Sequence, residues 1–592
     1  MILSLEKREF FRWLDSDLTD PGTKQELAGL LTGDSPSSVS NRGESFPPVD
    51  EEAVFDRFHC GLSFGTAGLR GKMRAGLNGM NVYTVGQATQ GMANLIVSSG
   101  PSAMKAGVVI AHDCRNHSRE FAERSAEILA ANGIRVYLFE SLRPTPELSF
   151  AIGYLRCTAG INITASHNPK QDNGFKAYWS DGAQIDNTLA RAVSEEMRKT
   201  DILTGVKRIP LAEAIATGLV SIIGEEIDQR YLETILAELV DPEIVKQAAG
   251  SLRIVYTPLH GTGYRLVPEV LSRIGVTHLY PVPEQMIPDG DFPTVERPNP
   301  QYPEVFRLGI DIAQKEQADL IIATDPDADR VGVMAKGKDG IFSCLTGNQM
   351  GVLLLDYIIQ SLRRLGKLPR NPYAVRSIVS TPMADRVCEA NGVRMLTSYT
   401  GFRFIALRIN EMQNSGNPDG FLLAFEESYG YLRGSYAKDK DGVVTSMLIT
   451  EMAAFYRLRG MTLIDAMEEM YRKYGACLDR TDEVLVSDAE KKNRILSGLR
   501  ENPPATLGGE AVCEISDYLS GICRNVSTGA VSRLPFEPSD VLSFRCESGT
   551  SVMIRPSGTE PKIKIYISVS SASLAGAEER MASCRRDTAR WS

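Results

Sequence analysis

Gly160-Ile161-Asn162-Ile163-Thr164-Ala165-Ser166-His167-Asn168-Pro169 is the stretch from which the chain is best read. Gly160 to Ile163 is a short apolar run with the signature of a buried strand, and it passes directly into a turn bearing one serine. Serine is a weak nucleophile, and it carries chemistry only where a base, a charge or a metal stands beside it. Similar runs recur at Gly107–Ala111, Arg135–Phe139, Arg253–Tyr256, Leu320–Ala323, Val375–Ser380, Phe421–Phe425 and Ile563–Val569. Between them lie stretches with helical spacing, such as Ser118–Ala131, with Ser118 as the expected N-cap and Asn132-Gly133 as the expected C-cap. Alternating strands and helices predict an α/β architecture.

With 592 residues the chain is too long for one core, and roughly three to five domains are expected. A net charge of −9 argues against a general nucleic-acid binder, so an anionic ligand must be met by a local basic patch. No apolar run approaches the ~20 residues of a membrane span. Residues 1–15 meet Glu6, Lys7, Arg8 and Glu9 at once, which predicts a short amphipathic helix and no signal-peptide core. Ten scattered cysteines without a CxxC pair suit reduced thiols in a cytoplasmic protein. Six histidines, none at metal-ligand spacing, argue against a histidine-bound metal. Junctions are expected near 199–210, at the turn 336–340 and at 475–482. Residues 33–49 and 502–509 read as loops, and no internal repeat is visible.

Leu320-Ile321-Ile322-Ala323-Thr324-Asp325-Pro326-Asp327-Ala328-Asp329-Arg330 is the strongest metal signal. A strand runs into three carboxylates at alternate positions, and an extended loop of period two turns all three to one point. Oxygen ligands suit Mg²⁺ before Ca²⁺, and the glycine and distal glutamate of an EF-hand are missing. A solvated acidic turn is the competing reading; Arg330 beside the carboxylates favours a site that also holds phosphate. Arg555-Pro556-Ser557-Gly558-Thr559-Glu560-Pro561-Lys562 offers a guanidinium fork, two hydroxyls and a glycine, as a phosphate loop does. Phe425-Glu426-Glu427-Ser428-Tyr429-Gly430 follows a strand, and period two puts Glu426 and Ser428 on one side, toward sugar hydroxyls. Thr400-Gly401-Phe402-Arg403 and Lys438-Asp439-Lys440-Asp441-Gly442 are weak singly. Phe64 to Gly71 is a Gly-rich anion loop containing Thr66 and Arg70. It lacks the GxxxxGK[ST] spacing of a nucleotide P-loop, which argues against a kinase or NTPase. Lys176, ten residues after Ser166, is expected to fold back toward that serine.

Taken in order, these segments resemble the α-D-phosphohexomutase superfamily over about residues 50–570. TASHNP is similar to its phosphoserine loop, DPDADR to its metal loop, EESYGY to its sugar loop and RPSGTEPK to its phosphate loop. YTPLHGTG, TGFRF and KDKDG are most similar to the phosphoglucomutase/phosphopentomutase branch. The resemblance implies three related mixed α/β domains plus a smaller α+β C-terminal domain around a central cleft. The expected divisions are 1–205, with an extension over 1–48, for phosphoserine; 206–338 for metal; 339–478 for sugar recognition; and 479–592 for phosphate. Ser166 would be phosphorylated, and Asp325, Asp327 and Asp329 would hold Mg²⁺ together with an oxygen on Ser166. Arg70 and Lys176 would stabilise charge and carry protons, with His167 beside them. Thr66, Arg330, Gly401 and Arg403 would bind substrate, Thr400, Glu426, Ser428 and Lys440 would contact the sugar, and Arg555, Ser557, Gly558 and Thr559 would bind the phosphate that is not reacting.

Two departures stand out. Tyr431 lies where some members have histidine, and Arg403 replaces the lysine common in TGxK, with a planar fork in place of a point charge. The implied activity is interconversion of glucose 1-phosphate and glucose 6-phosphate, with glucose 1,6-bisphosphate as intermediate and activator. Phosphopentomutase (ribose 1-phosphate/ribose 5-phosphate) is the alternative. A sugar-bisphosphate synthase, a metal-dependent phosphatase and an inactive scaffold rank below it. The expected partner is a phosphosugar, with no nucleic acid or membrane; monomer or weak dimer is the expected state.

Overall fold

The computed structural model describes residues 4–32, 47–62, 68–486, 489–556 and 562–591. Three mixed sheets follow one another along the chain, and each repeats one device. In the first, the order is Leu69–Lys72, Asp172–Trp179, Ala159–Ile163, Val108–His112, Val136–Phe139 and Val220–Ile223. Its last four strands pair parallel, while Asp172–Trp179 runs antiparallel to Ala159–Ile163. In the second, Leu320–Thr324 pairs parallel to Arg253–Thr257 and antiparallel to Val331–Lys336. In the third, Phe421–Glu426 pairs parallel to Tyr373–Ser377 and antiparallel to Gly430–Leu432. Each sheet therefore has a parallel strand whose carboxyl end turns back into an antiparallel neighbour. Carboxyl ends of parallel strands are where such sheets bind ligands.

The strands are near-continuous apolar runs because both faces are covered: Val108–His112, Ala159–Ile163 and Leu320–Thr324 are buried throughout. The largest apolar cluster runs without a break from Val109 and Tyr178 through Ile254 and Ile322 to Phe425 and Met447. The three sheets thus share one interior, which fixes their carboxyl ends relative to one another. The fourth sheet is antiparallel, ordered Ala476–Leu485, Lys562–Ser571, Ser551–Pro556, Leu542–Cys546, Glu510–Asp517, Ile522–Asn525 and Val531–Arg533. It packs on the third unit through Tyr399, Tyr518, Val541, Met553 and Tyr566.

The N-terminal helix expected over 1–15 is present as Leu5–Asp15. With Pro21–Ala28 and Glu51–Phe58 it buries Phe10, Trp13, Leu14, Leu27 and Phe58 against Ala75 and Tyr83. Helix Ser118–Ala131 also forms, but Ser118 is its first residue and not its N-cap. The cap position is His117 at φ 63°, and Ser118 Oγ donates to Asp113 instead. Two expected junctions fall within sheets, and the third, 199–210, lies between helix Asn187–Lys199 and the last strand of the first sheet. The turn 336–340 joins two antiparallel strands of the second sheet, which extends to Leu345. Residues 476–482 belong to the strand Ala476–Leu485, whose charged residues suit its exposed edge. The first sheet takes its last strand at Val220–Ile223, beyond residue 205. That strand is only half buried and has no long apolar run to announce it. Residues 502–509, read as a loop, include the short strand Thr506–Leu507. Among the described residues, no helix is long and apolar enough to cross a membrane.

Candidate functional site

The three antiparallel turnbacks carry three of the loops singled out in the sequence. Ser166 lies between Ala159–Ile163 and Asp172–Trp179, the aspartates between Leu320–Thr324 and Val331–Lys336, and Ser428 between Phe421–Glu426 and Gly430–Leu432. Each turn holds a non-glycine residue in the left-handed region: Ser166 at φ 53°, Ala328 at 51° and Tyr429 at 69°. Such a residue costs about 1–2 kcal/mol against its usual backbone. At Ser166 that cost is offset by bonds at both ends. Its N–H donates to Thr164 Oγ1 at 2.8 Å, and its carbonyl accepts from Arg115 at 2.6 Å.

Ser166 is 1% exposed. Its Oγ donates to Asp325 Oδ2 at 2.9 Å across two sheets, and His167 Nδ1 stands 3.2 Å from the same oxygen. Burial, with Arg330 and Arg70 adding to it, drives His167 well below the ordinary histidine range, so its ring is neutral. Lys176 sits on the strand opposite Asn162, with Nζ 2.6 Å from Asp327 Oδ2 and 3.2 Å from Asp329 Oδ2. Burial opposes its charge, but the two aspartates outweigh burial and raise its pKa, so it is an ammonium. Arg70, on the edge strand Leu69–Lys72, donates to Asn168 Oδ1 at 3.3 Å, and its Nε is buried without a partner.

Asp325, Asp327 and Asp329 converge, with one carboxylate oxygen of each within 4.8 Å of the others. They do so on a turn closed by Ala328 N–H to Asp325 O, and not on the extended loop expected from their spacing. All three are buried, yet Asp327 Oδ1 and Asp329 Oδ1 have no hydrogen-bond partner. Orphaned buried carboxylate oxygens are costly unless a cation meets them, and an all-oxygen set suits a hard divalent ion. Burial raises Asp325 well above the carboxylate range, and Asp327 and Asp329 add to that. Burial also works against ionisation of Asp329, but Lys440, Lys176 and Arg330 overcome it and hold that group far down.

The metal-type turn is buttressed from every side. Thr145 N–H donates to Asp327 O, and Thr145 Oγ1 donates to Asp327 Oδ2 at 2.7 Å while accepting from Asn162. Thr262 N–H donates to Pro326 O and Gly442 N–H to Ala328 O. A Cβ on Gly261 would stand 2.4 Å from Pro326 Cα, and one on Gly442 would stand 2.5 Å from Ala328 O, so both approaches require glycine.

Lys440 joins this turn to the sugar-type loop, with Nζ 3.1 Å from Asp329 and 2.9 Å from Asp439. Glu426 accepts from Gly401 N–H at 2.5 Å. Burial lifts Glu426 to about 7, with Glu427 adding to the rise and Lys440 opposing it. Ser428 lies in the turn 427–429, so the alternation expected to pair it with Glu426 stops at the strand end. Thr400 Oγ1 is buried and unpartnered. Arg403 Nη2 donates to Asn187, its Nε has no partner, and its guanidinium lies 4.6 Å over Phe404. Arg330 Nε, also without a hydrogen bond, faces Asp329 at 3.7 Å. Arg555 lies on Ser551–Pro556 opposite Lys564, and its charge acts on Arg403 and Tyr566. Tyr431 is a core residue donating to Gly347 O. Thr66, Ser557, Gly558 and Thr559 lie outside the described residues.

Sequence reasoning missed Asp113, Arg115, Thr145 and Asp439, which hold the site's loops in register. One signal was available: Asp113 and Arg115 follow directly on Val108–His112, the strand beside Ala159–Ile163.

Comparison with known proteins gives the same picture. Residues 61–203, 229–338 and 346–474 match domains I, II and III of the phosphoglucomutase/phosphomannomutase alpha/beta/alpha models. A phosphoglucomutase of Staphylococcus aureus (strain USA300) is 36% identical over 519 residues, 86% of this chain and 90% of that protein. The open form of parafusin (phosphoglucomutase) from Paramecium superposes with a TM-score of 0.67 at 18% identity, over 89% of this chain and 93% of the other. A phosphoglucomutase/phosphomannomutase family protein from Burkholderia thailandensis does so at 0.63 and 18%, over 89% and 97%. At that identity the two structures speak for the fold.

Proposed function

We propose, for a chain that belongs to the phosphoglucomutase/phosphomannomutase family, the interconversion of glucose 1-phosphate and glucose 6-phosphate through a phosphoserine enzyme. The observation that carries this reading is the Ser166 hydroxyl bonded to Asp325, one of three converging buried carboxylates, with Lys176 on Asp327 beside them. Asp325, Asp327 and Asp329, with an oxygen on Ser166, would hold Mg²⁺. Bound there, the ion supplies charge neutralisation for phosphoryl transfer.

Phosphorylated Ser166 gives its phosphoryl to the free hydroxyl of the bound sugar phosphate. The P–O bond to Ser166 Oγ breaks as a P–O bond to the sugar oxygen forms; the sugar hydroxyl gives up its proton and Ser166 Oγ gains one. The resulting 1,6-bisphosphate turns over and returns its other phosphate to the serine. Such transfers ask mainly for in-line positioning and charge stabilisation. Lys176 and Arg70 stabilise the charge, with Arg330 beside the metal-type turn. His167 exchanges the proton at Ser166 Oγ, a role supported by its spacing and its neutral ring. Glu426, Ser428, Thr400, Gly401 and Lys440 meet the sugar. Thr66, Arg403 and the 555–559 loop meet phosphate, Arg555 providing the fork. The first three sheets and the antiparallel fourth accordingly divide phosphoserine, metal, sugar and distal-phosphate duties. A cytoplasmic setting is part of the proposal, supported by ten free cysteines. Relatives bearing the phosphoglucomutase name favour the hexose over ribose.

Purified protein given glucose 1-phosphate with glucose 1,6-bisphosphate is expected to form glucose 6-phosphate faster than it turns over ribose 1-phosphate. Faster pentose turnover would move the assignment to phosphopentomutase, and phosphate release without isomerisation would overturn the mutase reading.

The raised Glu426 predicts a pH dependence. A protonated Glu426 loses its acceptor strength toward a sugar hydroxyl, so kcat/KM falls as pH drops below about 7. Glu426→Gln is expected to lower kcat/KM by about 10- to 100-fold and to remove that limb. The substrate's own phosphate ionisation, near pH 6, persists in the variant, so the difference between the two profiles isolates Glu426. Superimposable limbs in parent and variant would exclude Glu426 as their source.

A further inference from the structure

Resting on the reading of Ser166 as the phosphoryl carrier, we propose that Arg115 is the positioning residue of the serine loop, in a clasp completed by Phe292 from the second unit. Strand Val108–His112 lies parallel to Ala159–Ile163, with His112 opposite Ile163, so the segments following both leave the same sheet edge side by side. Arg115, 3% exposed, spends its guanidinium on the backbone of that loop. Nη2 donates to Ser166 O and Asn168 O at 2.6 Å each, and Nη1 donates to Pro169 O at 2.8 Å and Asp172 O at 3.0 Å. Its Nε faces Asp113 Oδ2 at 3.2 Å. That carboxylate oxygen also accepts from Thr164 Oγ1 at 2.7 Å, and Thr164 Oγ1 accepts from Ser166 N–H. Both peptide groups flanking Ser166 are thus tied to the Asp113–Arg115 pair, which holds the serine in its left-handed conformation. A planar fork spans four carbonyls; an ammonium, as a point charge, does not.

The other face of the guanidinium lies 5.1 Å over the ring of Phe292, which is itself 2% exposed. Phe292 belongs to the segment after His278–Pro281 in the second sheet, the unit that also carries Asp325 to Asp329. This segment docks directly on the 113–117 turn. Asn116 Nδ2 donates to Asp291 Oδ1 at 3.4 Å, and a Cβ on Gly290 would stand 2.4 Å from Asn116 N. The second unit therefore grips the serine loop twice, once at Ser166 Oγ through Asp325 and once behind it through Arg115. Arg115 points at backbone and not at the sugar side, so its loss displaces Ser166 Oγ from the line of transfer without removing a sugar contact.

The test compares full-length parent, Arg115→Lys, Arg115→Met, Phe292→Leu and Ser166→Ala. Two quantities are read: the rate at which glucose 1,6-bisphosphate phosphorylates Ser166, by intact mass, and the steady-state constants. Arg115→Lys and Arg115→Met are expected to slow both phosphorylation and kcat about 100-fold, the cost of a misplacement of about 1 Å. KM for glucose 1-phosphate is expected to stay within about threefold, and lysine is expected not to rescue. Phe292→Leu is expected to give a smaller loss, again in kcat alone. Parent-like phosphorylation in Arg115→Lys, or a KM that climbs as kcat falls, would overturn the clasp. If the Arg115 variants do not fold, Phe292→Leu decides, and an unchanged kcat there overturns the proposal. A parent that takes no phosphate on Ser166 would instead overturn the function reading.

Discussion

Ser166→Ala is expected to lower mutase turnover by more than about 10,000-fold, because the account makes this oxygen the only carrier of the travelling phosphate. The fold should survive. The substitution removes the hydroxyl's hydrogen bonds to Asp325 and His167, a loss of about 1–3 kcal/mol. Alanine has a Cβ as serine does, so the left-handed backbone at φ 53° is no more strained than before. The bonds that hold it, from Ser166 N–H to Thr164 and from Arg115 to the Ser166 carbonyl, do not involve the hydroxyl. Circular dichroism should therefore match the parent, with melting only slightly lowered, while glucose 6-phosphate formation disappears. A variant with full residual activity would remove the serine from the mechanism.

Asp327→Ala carries the second-largest expected effect, a loss of more than about 1,000-fold in turnover, since it strips a charged ligand from the centre that stabilises transferring phosphate. Asp327 also accepts from Lys176 and Thr145, so alanine leaves a buried ammonium with Asp329 as its remaining carboxylate partner. Truncating one member of a buried pair can cost about 3–5 kcal/mol, and a fall in stability would by itself reduce activity. Asp327→Asn separates the two effects. It keeps an oxygen for Thr145 and nearly the same shape but withdraws the charge. Both variants are expected to lose Mn²⁺ binding, read by the resonance of the free ion, and to show no response to added Mg²⁺. Either variant working like the parent would exclude the aspartate turn as the metal centre.

What the sequence made legible was the part of the site built from rare local patterns. Asp325-Pro326-Asp327-Ala328-Asp329 behind an apolar strand has few other uses, and the structure brings its carboxylates together. The strands at 160–163, 253–256, 320–323 and 421–425 stood out because burial on both faces leaves an unbroken apolar run. Several features did not stand out. The three catalytic-type turns occupy equivalent places in three sheets, yet no repeat is visible, because the equivalence lies in backbone position and in Ser166, Ala328 and Tyr429 at positive φ. Sequence rules look for glycine at such places and find none. Arg115 and Thr145 act on backbone or on another residue's carboxylate, so their roles depend on contacts 51 and 182 positions away along the chain. Short, half-exposed edge strands such as Val220–Ile223 lack the apolar run that reveals the interior ones.

The central claim is that Ser166 stores phosphate. The direct measurement is the intact mass of the purified protein after exposure to glucose 1,6-bisphosphate, followed by peptide mapping and a chase with glucose 1-phosphate. The account predicts one phosphate, located on Ser166, lost to the sugar in the chase and absent from Ser166→Ala. A protein that isomerises glucose 1-phosphate while carrying no phosphate on Ser166 at any stage would contradict it.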